Sequence, residues 1–166
     1  MDNTTPAARI RAALKAAGYN TRKVTVRQDH ETVRVTLKTL DVVLSVIKAI
    51  VAPFECVRRC ESTGEVLLGG NIYVDVAYDR EVLAPVTRQI AEALLAAPRG
   101  QVIELDGRRL AITGEAHAYY VCSLDDQGPR LHAWCGNADS VDALRFAAGQ
   151  LAVARIERVA AAAVAS

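Results

Sequence analysis

Basic and hydroxyl side chains alternate along two neighbouring segments of this chain, and their spacing allows one kind of chemistry to be named. They are Lys23, Thr25 and Arg27, then Arg34, Thr36 and Lys38. Side chains two residues apart project from the same face of a β-strand. If the two segments pair, their cations lie side by side and repel each other unless an anion covers them. The pattern therefore predicts an anion-binding face, with phosphate as the obvious ligand.

Further basic residues nearby extend this hairpin face. The complete predicted binding set is Lys23, Arg27, Arg34, Lys38, Arg22, Arg11 and Lys15. The hairpin face has no aromatic residue, which argues against a platform that stacks RNA bases. The alternative is a solvated face whose charges serve only solubility.

The four cysteines raise the question of a metal site. Cys122 and Cys135 are separated by twelve residues, whereas zinc ligands typically lie two to four residues apart. If Cys56 and Cys60 share one strand, the rise per residue puts them about 13 Å apart, too far for one tetrahedral ion. We therefore predict no metal and no other cofactor, and interpret the cysteines as reduced thiols.

Candidate catalytic residues cluster around Cys122. His117 is five residues from Cys122, so on a strand the two side chains face opposite sides. His132 could approach Cys122 across a hairpin, but nothing in the sequence requires it. Gly69-Gly70-Asn71 leads into a strand rather than a helix, which favours a bulge or tight loop over a phosphate cradle. These observations predict a protein that is not an enzyme and has no catalytic residue.

Hydrophobic periodicity indicates which elements must position these residues. A period typical of helices covers 6–17, 41–51, 85–97 and a final segment capped by Asp139 or Ser140. Alternation or turn signals predict strands at 22–27, 31–38, 54–61, 71–78, 102–105, 110–113, 117–124 and 131–135. The inward residues of the first strands are predicted to be valines, together with Leu37, Ile72 and Tyr78.

The resulting order is αββαββα and then ββββα. Because the strands come mostly as hairpins, we predict an α+β fold of antiparallel hairpins packed with helices. The length of 166 residues fits a single domain, 1–166, or two packed subdomains, 6–97 and 100–166, divided near Pro98.

Charge is distributed unevenly along the chain. Residues 1–60 carry eleven Lys/Arg against five Asp/Glu, and residues 61–166 carry nine against fourteen. A basic first part favours an anionic partner, either nucleic acid or an acidic protein surface, and opposite charges also allow copies of the chain to associate. The first residues lack the pattern of a signal peptide and no long apolar run occurs, which predicts a cytoplasmic protein with no membrane partner.

Two stretches carry a resemblance to a known family. They are Ile10-Arg11-Ala12-Ala13-Leu14-Lys15 followed by 23–27 and 33–35, and Thr63-Gly64-Glu65 followed by 69–74. Together, across residues 8–82, they resemble the large polyvalent protein-associated domains, which occur in proteins of phages, plasmids and conjugative elements. The resemblance implies an accessory factor of a mobile genetic element, of the kind that blocks a host defence system such as CRISPR.

The residues and the resemblance together predict a non-catalytic binding protein. Its basic sheet face would bind nucleic acid or a nucleic-acid-binding surface of a defence complex. Two other functions stay open at this point: a small enzyme with a site around the hairpins of the second half, and a self-associating structural subunit.

Overall fold

The computed structural model describes residues 5–97, 99–105, 107–115, 118–125, 128–134 and 139–165. The chain divides into two compact units, Met1–Val82 and Leu83–Ser166. This division lies close to the start of the third helix, whereas the sequence placed its boundary near Pro98. Each unit is described by itself.

The first unit contains two helices and a three-stranded sheet. Its elements are α1 (Pro6–Ala16), β1 (Val24–Asp29), β2 (Thr32–Leu37), α2 (Leu44–Val51), a short 3-10 turn (Ala52–Phe54) and β3 (Tyr73–Tyr78). The strand order is β1-β2-β3, so β2 is the central strand.

Both helices lie over one side of the sheet. Helix α1 is capped by Thr5, whose hydroxyl accepts a hydrogen bond from the Ala8 N–H, and Pro6 occupies the first turn, where its missing N–H costs nothing. Ile10 and Leu14, one turn apart on α1, are both buried. Helix α2 buries Ile47 and Val51 in the same way. These side chains cover the inner face of the sheet.

The first hairpin forms as the alternation predicts. β1 and β2 are antiparallel, with Val26 opposite Val35 and Arg27 opposite Arg34. The side chains expected to face inward are buried on both strands: Val24, Val26, Val33, Val35 and Leu37. On β3, Val76 and Tyr78 are buried, while Ile72 and Val74 are half-buried.

The predicted second hairpin is not formed. Segment 54–61 is no strand of the sheet and makes only isolated bridges, between Cys56 and Ile72 and between Arg59 and Val66. β3 instead pairs with β2 in parallel, with Val35 beside Val76. The reason is the crossover: α2 carries the chain back, so that β3 enters beside β2 in the same direction. The segment itself offers little apolar alternation that could hold it in a sheet.

The second unit is an antiparallel meander with two helices. Its elements are α3 (Arg80–Ala96), β4 (Ile103–Leu105), β5 (Arg108–Glu115), β6 (Ala118–Asp125), β7 (Gly128–Trp134) and α4 (Val141–Ala165). The strands pair in the order β4-β5-β6-β7, as the hairpin signals predicted. α4 begins after Ser140, whose hydroxyl accepts a hydrogen bond from the Ala143 N–H.

Two predicted helix starts were wrong. α3 begins five residues before Pro85, because the Asp79 carboxylate accepts a hydrogen bond from the Glu81 N–H and caps an earlier turn. α2 begins after Val43, and Asp41, its predicted cap, pairs with Lys23 instead.

The core of the second unit lies between its helices and the central strands of its sheet. It joins Ile90, Ala91 and Leu94 of α3 with residues of α4 and with Leu110, Ile112 and Val121. Both units combine helices with antiparallel strand pairs, and the first unit adds the parallel pair of β2 and β3, so the predicted α+β class is confirmed. In the part of the chain that the structure describes, no helix is both long and apolar enough to cross a membrane.

Candidate functional site

The side of the first sheet that carries neither helix forms the candidate site, called here the outer face. Its side chains form four rows across β1, β2 and β3. The rows are Lys23, Lys38 and Asp79; Thr25, Thr36 and Ala77; Arg27, Arg34 and Asp75; and Asp29, Thr32 and Tyr73. The pairing of β1 with β2 therefore brings the four cations of the predicted hairpin face together on one surface.

Arg27 and Arg34 form the most charged row of the outer face. They lie directly opposite each other, and both are exposed. The Lys38 N–H donates to the Lys23 carbonyl, which makes these two residues a hydrogen-bonded pair. Hydrogen-bonded and non-hydrogen-bonded pairs alternate along an antiparallel hairpin, so Arg27 and Arg34 are a hydrogen-bonded pair as well. In such a pair the Cα atoms lie about 5.5 Å apart. Two arginine side chains thus start from directly opposed positions on the exposed surface.

Carboxylates partly neutralise three of the four cations of the outer face. Lys23 forms an ion pair with Asp41, and Lys38 forms one with Asp79. Arg34 Nε lies 3.8 Å from Asp75 Oδ2, with the Arg34 side chain 68% exposed. Among the described residues, Arg27 has no ion-pair partner. The outer face is therefore a surface of mixed charge on which Arg27 is the least neutralised cation.

Two of these ion pairs shift the titration of their carboxylates. The hydrogen bond from Lys38 lowers the pKa of Asp79, and the backbone N–H of Glu81 adds to the effect. The hydrogen bond from Lys23 likewise lowers the pKa of Asp41. Both carboxylates are therefore ionised at neutral pH and stay available to their lysines.

The other members of the predicted set lie elsewhere. Arg11 donates through Nη2 to the Val26 carbonyl at 2.8 Å, at the free edge of β1, where it protects a backbone group of that edge. Lys15 is an exposed residue of α1, the helix whose Ile10 and Leu14 pack on the inner side. Arg22 is exposed in the turn just before Lys23, so of these three it lies nearest in sequence to the outer-face cations.

Sequence reasoning missed the contribution of β3 to this surface. The parallel pairing adds Tyr73, Asp75 and, just past the strand, Asp79 beside the hairpin cations. The alternation of 73–78 did show which of its side chains share a face. Interpreting 32–78 as a βαβ unit, with α2 as the crossover, would have placed β3 next to β2.

The cysteines are free thiols in different surroundings. Cys56 is exposed, Cys60 is half-buried and Cys122 is buried; Cys135 lies outside the described residues. Within the described ranges, no group of three or more His, Cys, Asp or Glu is placed to hold a metal ion. Cys122 Sγ lies 3.4 Å from the Thr113 hydroxyl. His117 and the side chain of His132 lie outside the described part of the chain.

Cys60 has the most perturbed titration of the described cysteines. Its Sγ lies 3.2 Å from the Ser62 hydroxyl, and this hydrogen bond, helped by Thr63, lowers the pKa of the thiol to about 6. An open cavity of about 660 Å³ lies beside it. The cavity is lined by Arg58, Arg59, Cys60, Glu61, Ser62 and Leu67.

The loop that carries Cys60 is held by a buried asparagine. Asn71 Oδ1 accepts from the Arg58 N–H and its Nδ2 donates to the Leu67 carbonyl. Gly69 and Gly70 both adopt positive φ, at 77° and 70°, which glycine alone adopts without strain. Gly69-Gly70-Asn71 is thus a tight loop that leaves Leu68 99% exposed.

Comparison with known proteins adds no relative. No family model matches the chain, and no similar chain is found among curated proteins or solved structures. What the chain does must therefore be argued from the geometry of its own residues.

Proposed function

We propose that this chain is a non-catalytic binding protein that holds a nucleic acid on the outer face of its first sheet. The side chains that would contact phosphates are Arg27 and Arg34, flanked by Arg22, Lys23 and Lys38. The hydroxyls of Thr25 and Thr36 lie between the two charged rows and supply neutral donors.

The observation that carries this proposal is the Arg27–Arg34 row. Like charges directly opposite each other destabilise a sheet, so the arrangement has a cost in the free protein. A phosphate over the two guanidinium groups removes that repulsion and accepts hydrogen bonds from both. Arg27, with no carboxylate partner among the described residues, is the cation most ready to take a phosphate oxygen.

The ion pairs of the outer face reduce its affinity for anions without abolishing it. Exposed ion pairs contribute about 0–1 kcal/mol each, because water screens them and two side chains must be held in place. A phosphate can therefore displace Asp75 from Arg34, whose N–O distance of 3.8 Å is long for an ion pair. Moderate binding that depends strongly on salt is the expected result.

The positive charge of the Arg27–Arg34 row favours nucleic acid as the partner. It disfavours the other predicted partner, the groove in which a defence complex holds its nucleic acid. Such a groove on a defence complex is basic and would repel Arg27 and Arg34. An acidic protein surface is the remaining partner of suitable sign. The two are separated by the salt dependence of binding, which is steep and linear on a log–log plot for nucleic acid.

The biological setting is part of the same proposal. The resemblance of residues 8–82 to the large polyvalent protein-associated domains supports a mobile genetic element as the source and a host defence system such as CRISPR as the process that is inhibited. Sequestering the nucleic acid that a defence complex must read is the mechanism that this surface would allow.

Binding of labelled oligonucleotides, measured by fluorescence anisotropy over a salt series, tests the proposal. In a variant with Arg27→Glu and Arg34→Glu, affinity should fall by at least about tenfold and the salt slope should shrink by about one per lost phosphate contact. The control is Arg88→Glu with Arg145→Glu, which changes charge equally on exposed helix positions of the second unit. Equal losses in both variants, or no binding by the wild type, would contradict the proposal.

Asp75→Asn offers a test in the opposite direction. The substitution keeps the shape of the side chain and removes the charge that competes for Arg34. Affinity for oligonucleotides should therefore rise in the same assay. An unchanged or lower affinity would show that phosphates do not reach Arg34.

A further inference from the structure

The cations of the outer face lie on and beside β1 and β2, while β3 and its end contribute Asp75 and Asp79. Asp29, at the hairpin end of β1, is the one further acidic residue of the four rows. The cations of β1 and β2 attract a chain of phosphates, and the carboxylates on and beside β3 repel it. A nucleic acid lying on this face would therefore run its backbone over β1 and β2 and turn its bases toward β3.

Tyr73 stands on the β3 side of this surface. Its Cα is paired with that of Thr32, one row beyond Arg34 and Asp75, and its side chain is half-buried. Rows on one face are about 6.6 Å apart along a strand and neighbouring strands are about 4.8 Å apart, so Tyr73 and Arg34 lie roughly 8 Å apart, diagonally. That separation lets one nucleotide place its phosphate at Arg34 and its base at the Tyr73 ring.

The width of the surface limits which form of nucleic acid fits. The major groove of a duplex, about 12 Å wide, admits one helix or a two-stranded ribbon. A three-stranded sheet backed by helices does not enter it, and in a duplex the base faces are stacked on one another. A single strand can instead splay its bases onto an aromatic ring while its phosphates follow a row of cations.

From this arrangement we propose that the nucleic acid held by the outer face is single-stranded, with one base stacked on the ring of Tyr73 and the neighbouring phosphate bound by Arg34 and Arg27. This inference rests on the proposed function and specifies the form of its partner. Asp75, beside Arg34 and one row from Tyr73 on β3, keeps phosphates away from β3 and leaves a carboxylate to accept hydrogen bonds from the amino groups of a base.

Two measurements test this inference. The first compares a labelled single strand, as DNA and as RNA, with the matching duplex. The second compares Tyr73→Phe, which keeps the aromatic ring, with Tyr73→Leu, which keeps apolar bulk suited to a strand but has no π-face. We expect the single strand to bind more tightly than the duplex, Tyr73→Phe to bind like the wild type, and Tyr73→Leu to lose about tenfold in affinity, within the range measured for one stacked base.

A tryptophan at the same position gives an independent readout. In Tyr73→Trp, the added tryptophan contributes fluorescence that the wild type lacks. A single strand whose base stacks on this ring should quench that fluorescence, and a duplex should not. Circular dichroism of each variant shows that the fold is retained.

The outcomes separate this inference from the proposed function. If a duplex binds as tightly as a single strand, or if Tyr73→Leu binds like Tyr73→Phe while the Arg27→Glu, Arg34→Glu variant loses binding, stacking on Tyr73 is wrong and the phosphate-binding face stands. If no oligonucleotide binds the wild type, both fail.

Discussion

At the scale of single residues, Cys60 has the titration that departs most from its ordinary value among the described side chains. The hydroxyl of Ser62 donates to the sulfur and favours its charged form, which lowers the pKa of the thiol to about 6. Thiolate, not thiol, is the nucleophile in alkylation. Cys60 is therefore mostly thiolate at neutral pH, while Cys122 is buried.

We accordingly predict that Cys60 is alkylated before Cys122 when the folded protein is treated with iodoacetamide at pH 7. The rate at Cys60 should rise with pH and level off above a midpoint near 6, and peptide mass spectrometry gives the rate at each cysteine. Ser62→Ala should move the midpoint upward, because the main hydrogen bond to the thiolate is lost. A midpoint above pH 8 in the wild type would show that Ser62 does not stabilise the charged form.

A second prediction at this scale concerns Asp79. Lys38→Met removes the main hydrogen bond to the carboxylate, so the pKa of Asp79 should rise toward about 3.9, its ordinary value. Carbon-detected NMR titration of the side-chain carboxyl measures the shift. Lys48→Met, an exposed lysine of α2, is the control and should leave the titration of Asp79 unchanged.

The sign of the corresponding stability effect follows from the lowered pKa. Ionised Asp79 interacts with Lys38 only in the folded state, so its contribution is present above the unfolded pKa and is lost as the pH falls through the folded one. The stabilities of the wild type and Lys38→Met should therefore begin to converge as the pH falls below about 3.9, and they should become equal below the lowered pKa of folded Asp79. A difference between them that grows toward acid pH would contradict this pairing.

The residues of the outer face show how far sequence reasoning reaches at this scale. Period-two spacing sufficed to place Arg27 and Arg34 on one exposed side, because alternation is a local property of a strand. It did not reveal that Asp75 lies beside Arg34, since the neighbour of a strand depends on the path of the chain through α2. The mixed charge of the face was for that reason not readable from the hairpin alone.

At the scale of elements, the position of a strand in the sheet decides how much its apolar residues contribute to stability. Val35 lies on the central strand and is fully buried, whereas Val74 lies on the edge strand β3 and is half-buried. The parallel register places Val33, not Val35, beside Val74. Two valines of identical chemistry therefore lie in different environments within one small sheet.

We expect Val35→Ala to lower the free energy of unfolding by about 1.5–3 kcal/mol, because the Val35 side chain is completely buried in the folded protein. Val74→Ala should cost less than Val35→Ala, because water already reaches part of the Val74 side chain. Urea denaturation of both variants measures the two losses. Equal losses would mean that β3 is as enclosed as β2, against the strand order described here.

The elements themselves differ in how well the sequence predicted them. The four strands of the second unit were predicted because short turn signals in the sequence, such as Asp106-Gly107, separate them. Strands joined by a short turn pair with each other, so a local signal identified each pairing partner. The prediction of a strand at 54–61 was wrong, because the segment makes only isolated bridges to Ile72 and Val66. The Asn71 side chain instead holds Arg58 and Leu67 in a loop that ends in two glycines with positive φ. The predicted start of α3 was wrong because Asp79 caps the helix six residues before Pro85, the proline that had marked the start.

At the scale of the whole molecule, the uneven charge of the sequence looks different when it is counted by unit. Residues 1–82 carry twelve Lys/Arg and ten Asp/Glu, and residues 83–166 carry eight and nine. The net charges are thus +2 and −1, because the acidic residues of 61–82 belong to the basic unit. This weakens the argument for self-association of opposite halves and leaves the local Arg27–Arg34 row as the stronger electrostatic feature.

The division of the chain into two units also predicts which residues unfold together. Each unit buries its own apolar side chains: Leu37 lies in the first and Leu144 in the second, and both are fully buried. Leu→Ala at such sites costs about 2–5 kcal/mol. Because local stability follows the contacts within a cooperative unit, Leu37→Ala should speed amide hydrogen exchange mainly in 5–82 and Leu144→Ala mainly in 83–165. Mass spectrometry of peptides after exchange measures this, and uniform loss of protection along the chain in either variant would show that the units unfold as one.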